Sequence, residues 1–475
     1  MPAPSTNHPV IVIGAGPVGL AAAAHLIERG LTPIVLERGE QVGASIREWA
    51  HVALFSPWEY NIDAATRRLL ERHGWEAPAP DVNPTGAELV ARYIQPLAET
   101  PELAPRIRTG ARVTAVTRQG IDKMQTLGRT RHPLLVRVET VTGVEDIPAA
   151  AVIDASGTWT TPNPLGANGL PAIGEGACAP HLAGGLPDVL GKDRSRFAGK
   201  TTLVVGMGHS AANTLLSLVT LAETEPSTRI IWGIRGRSAR RLFGGGAADE
   251  LPARGLLGTR LKEAVDTGQV TFLKDFTITR LTPVGDQVRV EADGSDDTQS
   301  VVVDTIAAAT GFRPDLAMLR EMRLELDPIT EAPVKLGPLI DPNSHSCGTV
   351  PPHGAAVLAH PEPDFTIVGM KSYGRAPTFL LATGYEQVRS VVAAIAGDHE
   401  AATRVELSLP ETGVCSTDGG SCEAPPQGLA TGIEHGKAGD DAAAPSCCTP
   451  PAASTPTLIK LRPTQSCCAP EPTNA

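Results

Sequence analysis

The sequence predicts an α/β protein built from two nucleotide-binding units, the second inserted into the first. Three observations predict it. Two glycine turns, Gly14-Ala15-Gly16-Pro17-Val18-Gly19 and Gly206-Met207-Gly208-His209-Ser210-Ala211, each follow a short β-branched run and each open an Ala/Leu-rich segment of helical character. Two later apolar runs, Ala151–Asp154 and Ile306–Ala309, each end in small residues and a glycine, the form expected where a strand lets the backbone pass close to a nucleotide. After the second unit, a strand (Phe365–Gly369) and a helix (Phe379–Ala396, stopped by Gly397) return the chain to the first.

Taken in order, Val10–Ile13 is the strand that feeds the first turn, and Thr32–Leu36 is its neighbour. A long irregular insert (43–84), a helix near Gly86–Leu97 and a meander with strands at Ala111–Val116 and Leu134–Val138 follow. Leu203–Val205 feeds the second turn, and Arg229–Ile234 is its neighbour. The expected division is 8–164 and 311–398 for the first unit, 165–310 for the second, and 399–475 for a tail. That tail is rich in Pro, Gly, Ala, Ser and Thr without periodicity, a composition expected to be disordered.

The turns have a chemical reason. In each, the first glycine permits a tight turn and the second admits a pyrophosphate. A small third residue packs helix on strand, and the phosphates meet free N–H groups at the helix start. Gly14, Gly16 and Gly19 are therefore candidates in the first site; Gly206, Gly208, Ser210 and Ala211 are candidates in the second. Glu37 ends the strand after the first turn, where a carboxylate accepts both hydroxyls of an adenosine ribose and repels a 2′-phosphate. Arg38, Val113 on the meander and Gly157 complete that set. Arg235 ends the corresponding strand of the second unit, with Arg237, Arg240 and Arg241 beyond it; guanidinium groups there suit a 2′-phosphate. Gly311 is the second unit's counterpart of Gly157. The expected cofactors are FAD at the first turn and NADPH at the second.

Composition narrows the alternatives. A net charge of −11 argues against nucleic acid and anionic membrane as partners. Val10–Leu26 is too short and too rich in placed glycines for a membrane span, and no basic stretch precedes it, so a cytoplasmic location is expected. The oligomeric state is left open, a homodimer being one option. Cysteines are lopsided: Cys178 and Cys347 stand alone in the body, while Cys415, Cys422, Cys447, Cys448, Cys467 and Cys468 lie in the last 75 residues. The body carries neither Cys-x-x-Cys nor Cys-x4-Cys, which argues against dithiol reductase chemistry.

The order of first turn, Glu37, Asp154-Ala155-Ser156-Gly157, second turn and Ala309-Thr310-Gly311-Phe312-Arg313-Pro314 resembles the two-dinucleotide-domain flavoproteins. Phe197-Ala198-Gly199-Lys200 leading into the second turn is most similar to the flavin-containing monooxygenases, over about residues 8–398. The departures are a Gly43-Ala44-Ser45 start with a late Trp49, where Gly-Gly-x-Trp is usual, and a long spacing between His181 and Phe197. The resemblance implies two Rossmann-like domains, NADPH and O2 as co-substrates, and oxygenation of a soft nucleophile through a flavin hydroperoxide. It makes Asn61 and His181 catalytic candidates and places Trp49, His51, Lys371, Tyr373 and Arg375 near flavin or substrate.

Cys447-Cys448 and Cys467-Cys468 are adjacent pairs. Such neighbours bond to each other only with strain, because a disulfide wants Cα atoms about 4.4–6.8 Å apart, so free thiolates for soft ions are the reading of their chemistry. The tail resembles the C-terminal vicinal cysteines of mercuric reductases, and the general layout is similar to the flavoprotein monooxygenases of arsenic resistance. That makes a trivalent arsenical or antimonial one substrate option. Two alternatives stay open: a reductase using the tail cysteines on a metal or disulfide, and a non-catalytic flavin-based metalloid or redox sensor. His345, Cys347, His353 and His360 form a further candidate metal cluster.

Overall fold

In the computed structural model, residues 8–243, 251–294, 297–343, 350–377 and 379–407 are described. The first unit starts with β1 (Val10–Ile13), α1 (Pro17–Glu28) and β2 (Pro33–Leu36). Then come α2 (Ala44–Glu48), β3 (Ile107–Arg108), an antiparallel meander β4 (Arg112–Arg118), β5 (Leu134–Thr140) and β6 (Gly143–Ala149), and β7 (Ala151–Asp154). The second unit holds β8 (Leu182–Ala183), β9 (Thr201–Val205), α3 (His209–Thr224), β10 (Arg229–Gly233), β11 (Thr271–Leu273), a second meander β12–β14 spanning 277–303, and β15 (Thr305–Ala308). The chain then adds β16 (Phe365–Ile367) and α4 (Leu381–Ile395).

Two five-stranded parallel sheets result, ordered β16-β7-β1-β2-β3 and β11-β10-β9-β15-β8. The second forms from sequence lying between β7 and β16, so the second unit is an insertion in the first. The sequences of β1 and β9 dictate this burial: Val10–Ile13 and Leu203–Val205 are apolar on both faces, as strands covered on both sides must be. Small residues bring the helices close. Ala21 to Ala24 of α1 are at most 1% exposed, and α1 packs along α4 beneath the first sheet.

The helix near Gly86 runs to Ala98 but carries a π-helical segment over Val90–Ile94. The final helix begins at Leu381, two residues after the expected start. One boundary is corrected more substantially. Residues 399–407, assigned to the tail, belong to the folded unit: a short helix His399–Thr403 packs on α4, Arg389 Nη1 donates to Ala401 O at 2.8 Å, and Ser390 Oγ donates to Ala402 O at 2.5 Å. Those bonds take up the remaining donors of two buried side chains of α4. The six tail cysteines, His345, Cys347 and the Arg241 side chain lie outside the described residues. Among the described residues no helix is long and apolar enough to cross a membrane.

Candidate functional site

The two glycine turns are built to one plan. Gly14 (φ +101°) and Gly206 (φ +132°) hold a conformation that side chains rarely adopt, and a Cβ on either would run into a crossing strand's end, at Ala155 O and Ala309 O respectively. Gly16 and Gly208 face open space, leaving room for a pyrophosphate. At the third position the two differ. A Cβ at Gly19 would collide with Gly14 O, whereas Ala211 is accommodated, fully buried, at the start of α3. These are the shapes a phosphate cradle requires, on residues at the carboxyl ends of β1 and β9.

The flanking charges differ in sign. Glu37 accepts from Ala15 N (Oε2, 2.8 Å) and Gly39 N (Oε1, 2.8 Å), which fixes the carboxylate against the first turn. Ala111 N donates to Glu37 O at 2.8 Å, bringing the start of β4, and with it Val113, to the same strand end; Arg38 is exposed beside it. In the second unit β10 runs parallel to β9 with Gly233 opposite Val205, so Arg235 emerges beside Gly206. Its Nη1 donates to Ala167 O at 3.0 Å, and Arg237 lies 3.5 Å from Asp275 with its side chain 78% exposed. Ser210 sits in the first turn of α3. Gly157 (φ +70°) and Gly311 (φ +82°) follow the two crossing strands.

A buried polar group that the sequence did not reveal supports the first cradle. Lys371 Nζ, 2% exposed as a residue, donates to Asp154 Oδ2 at 2.7 Å and to Ser156 Oγ at 3.1 Å; Ser156 Oγ donates to Asp154 Oδ1 at 2.6 Å. Lys371 is therefore an internal cation under β7, not a group reaching flavin or substrate. Tyr373 is also buried, and Arg375 points outward toward Glu331 at 3.8 Å.

Both catalytic candidates are engaged by the protein itself. Asn61 is fully buried, its amide donating to Ser56 O (2.6 Å) and Pro57 O (2.8 Å) while its Oδ1 accepts from Ser56 Oγ (3.1 Å). Its amide is spent on closing its own loop. His181 sits just before β8, with Nδ1 3.0 Å from Asp304 O; Leu182 pairs with Ile306, so this is the amino end of the second sheet. Ligands of such sheets bind at the opposite, carboxyl end. Trp49 packs on Trp159, and His51 is exposed.

Of the proposed His cluster, the two described members each have a partner of their own. His353 Nε2 meets Gln387 Nε2 at 2.9 Å, and His360 Nδ1 accepts from Glu325 N at 3.4 Å. Among the described residues no group of three His, Cys, Asp or Glu side chains is placed to hold a metal. Burial pushes the His360 pKa down to about 4. A histidine held neutral stabilises the fold above its unfolded pKa of about 6.5, and that stability is lost as pH falls from there toward 4. At about 1.4 kcal/mol per tenfold in proton affinity, the loss reaches about 3 kcal/mol. Urea unfolding at pH 7 and pH 4.5 should show His360→Gln losing less stability on acidification than the wild type; an equal loss in both refutes the assignment.

The family model for pyridine nucleotide-disulphide oxidoreductases matches residues 11–335, more than half of the chain. The chain belongs to that family. Flavin-containing monooxygenase FMO GS-OX-like 2 of Arabidopsis thaliana is 42% identical over 62 residues, which is 13% of this chain and 13% of that protein. The chain thus matches only a small part of its curated relatives. Among solved structures, the bacillithiol disulfide reductase Bdr of Bacillus cereus superposes with a TM-score of 0.60 at 18% identity, covering 82% of this chain and 99% of that one. DfoA of Erwinia amylovora, a cadaverine monooxygenase bound to FAD, gives 0.58 at 13% identity, covering 87% and 100%. The ornithine N-hydroxylase of Kutzneria sp. 744 gives 0.53 at 16%, covering 82% and 98%. Reductases and monooxygenases share this fold, so the choice between them rests on the residues.

Proposed function

We propose that the chain is an NADPH-dependent FAD monooxygenase that places one oxygen atom of O2 on a soft nucleophile. The observation that carries the reading is the pair of matched cradles with opposite charges, Glu37 beside Gly14 and Arg235 with Arg237 beside Gly206. FAD, when bound, supplies the two-electron chemistry between reduced nicotinamide and oxygen. Gly14, Gly16, Gly19 and the start of α1 hold its pyrophosphate, and the free lone pairs of Glu37 accept its ribose hydroxyls. Arg235 and Arg237 bind the 2′-phosphate of NADPH, and Gly157 and Gly311 let backbone approach the two nucleotides. Cys178, the described cysteine, is fully buried in the second unit's core, and that burial pushes its thiol pKa up. It is not a partner for a flavin, which turns the reading from a disulfide acceptor toward oxygen. The local sequence likeness to a flavin-containing monooxygenase points the same way.

The substrate we favour is a trivalent arsenical or antimonial, gathered by Cys447, Cys448, Cys467 and Cys468. Turnover of phenylarsenous acid in 18O2 is expected to consume NADPH and O2 together and to leave one labelled oxygen on the product. NADPH oxidation under strict anaerobiosis, driven by a disulfide or Hg(II), would falsify the proposal in favour of a reductase. Arg235→Ala should weaken NADPH roughly tenfold and leave NADH unchanged, as loss of one charged hydrogen-bonding partner implies. A chain ending at residue 407 should turn over the arsenical with a raised KM; an unchanged KM removes the tail from the scheme.

A further inference from the structure

The chain crosses between its two nucleotide units at residues 158–163 and 310–313, and these crossings are joined to each other. Pro162 and Phe312 form an antiparallel bridge. Asn163 N donates to Gly311 O (2.9 Å) and Arg313 N to Thr161 O (3.0 Å). The Asn163 side chain adds a donation from Nδ2 to Thr310 O (3.1 Å) and accepts from Arg313 Nε at Oδ1 (2.9 Å), while Thr310 Oγ1 donates to Asn163 O (2.6 Å). Two separate crossings have become one two-stranded ribbon.

Trp159 ties that ribbon to the first unit. Trp159 lies against Phe312 of the opposite crossing, with ring centroids 5.1 Å apart, and against Trp49, at 6.5 Å. Its Nε1 donates to Glu48 Oε2 at 2.7 Å. Glu48 ends α2, whose leading Gly43 N donates to Ala15 O at 3.0 Å inside the first glycine turn. A continuous chain of contacts thus runs from the first cradle through α2 and Trp159 to Phe312, three residues beyond Ala309, the residue against which Gly206 is seated.

We propose that Trp159 and Asn163 are positioning residues, holding the second cradle at a fixed offset from the first so that reduced nicotinamide and flavin meet. The inference rests on the FAD and NADPH reading above, but not on the final acceptor. One hydride with its electron pair passes from nicotinamide to flavin, and the rate of that transfer depends steeply on the approach of the two rings.

The test is the anaerobic bleaching of the bound flavin by saturating NADPH, with backbone hydrogen exchange of the unliganded chain as an independent readout. Trp159→Phe keeps the ring contacts and loses the bond to Glu48. It should slow bleaching three- to tenfold, leave FAD content and NADPH half-saturation within twofold, and speed exchange at Asn163 and Arg313. Glu48→Ala should behave alike, Glu48→Gln should retain most of the rate, and the double variant Trp159→Phe/Glu48→Ala should be no slower than the worse single. Unchanged bleaching and exchange in both Trp159→Phe and Glu48→Ala overturn the proposal, as does a loss confined to NADPH affinity or to FAD content. If NADPH does not bleach the wild-type flavin, the nucleotide reading fails instead, and the exchange comparison still decides the clasp.

Discussion

Gly206→Ala is expected to cut NADPH-driven flavin reduction at least a hundredfold while the purified protein keeps its FAD. The backbone there sits at φ +132°, where a side chain is strained in any surroundings, and the new Cβ would strike the carbonyl oxygen of Ala309. Relief requires the turn to move off β15 or β15 to move off β9, and either shift disperses the N–H groups that cradle the phosphates. Gly14→Ala is the mirror experiment: the same collision, now with Ala155 O, should strip FAD and leave the second cradle formed. Flavin absorbance of the purified variants and an NADPH titration by fluorescence separate the two. The assignment of one nucleotide to each turn fails if both variants lose the same one.

The asymmetry at the third position adds a control. Ala211 is native and buried, so the second turn already tolerates a methyl group there, whereas Gly19 has the Gly14 carbonyl in the way. Ala211→Gly should therefore be mild for NADPH, and Gly19→Ala severe for FAD.

The cradles were legible because everything that shapes them is local or repeats at a fixed interval: glycine spacing, a β-branched strand before, a charged strand end after. What holds them was not. The Lys371–Asp154 pair joins residues 217 apart, and nothing in Asp154-Ala155-Ser156-Gly157 says that its aspartate is fully buried. Lys371 stands near the expected start of the last helix and reads as a cation facing the ligand; only the return of β16 beside β7 turns it inward. His181 misleads for a related reason. The resemblance picks it out as the histidine before the second turn, but a parallel strand has two ends, and the pairing of Leu182 with Ile306 sets it at the amino one. Asn61 carries the right chemistry for a flavin contact, yet its amide is consumed within five residues, a detail of loop geometry that composition does not encode. Trp159 and Glu48 are 111 residues apart, and no local pattern in the sequence announces their bond.

Lys371→Met should destabilise the folded unit by about 3–5 kcal/mol, the cost of leaving one member of a buried ion pair without its partner. The two side chains are 1% and 0% exposed, so water cannot take the place of the lost ammonium. The Asp154 carboxylate would keep its bonds from Ser156 N and Ser156 Oγ, which are too few to balance a full charge in that setting. Replacing both partners, Asp154→Asn with Lys371→Met, removes the charge as well as its counterion and should recover most of the lost stability in urea unfolding. Recovery of the fold is not recovery of the site. Ser156 is the second residue beyond β7, and a Cβ on Gly14 would touch its Cα, so the ion pair also fixes the wall of the first cradle. The double variant is therefore expected to unfold near the wild-type denaturant midpoint yet release FAD faster. A double variant as unstable as Lys371→Met would show that the packing of the lysine stem, and not the charge pair, holds β16 against β7. Unaltered FAD release would detach the pair from the cradle and leave it a stability element alone.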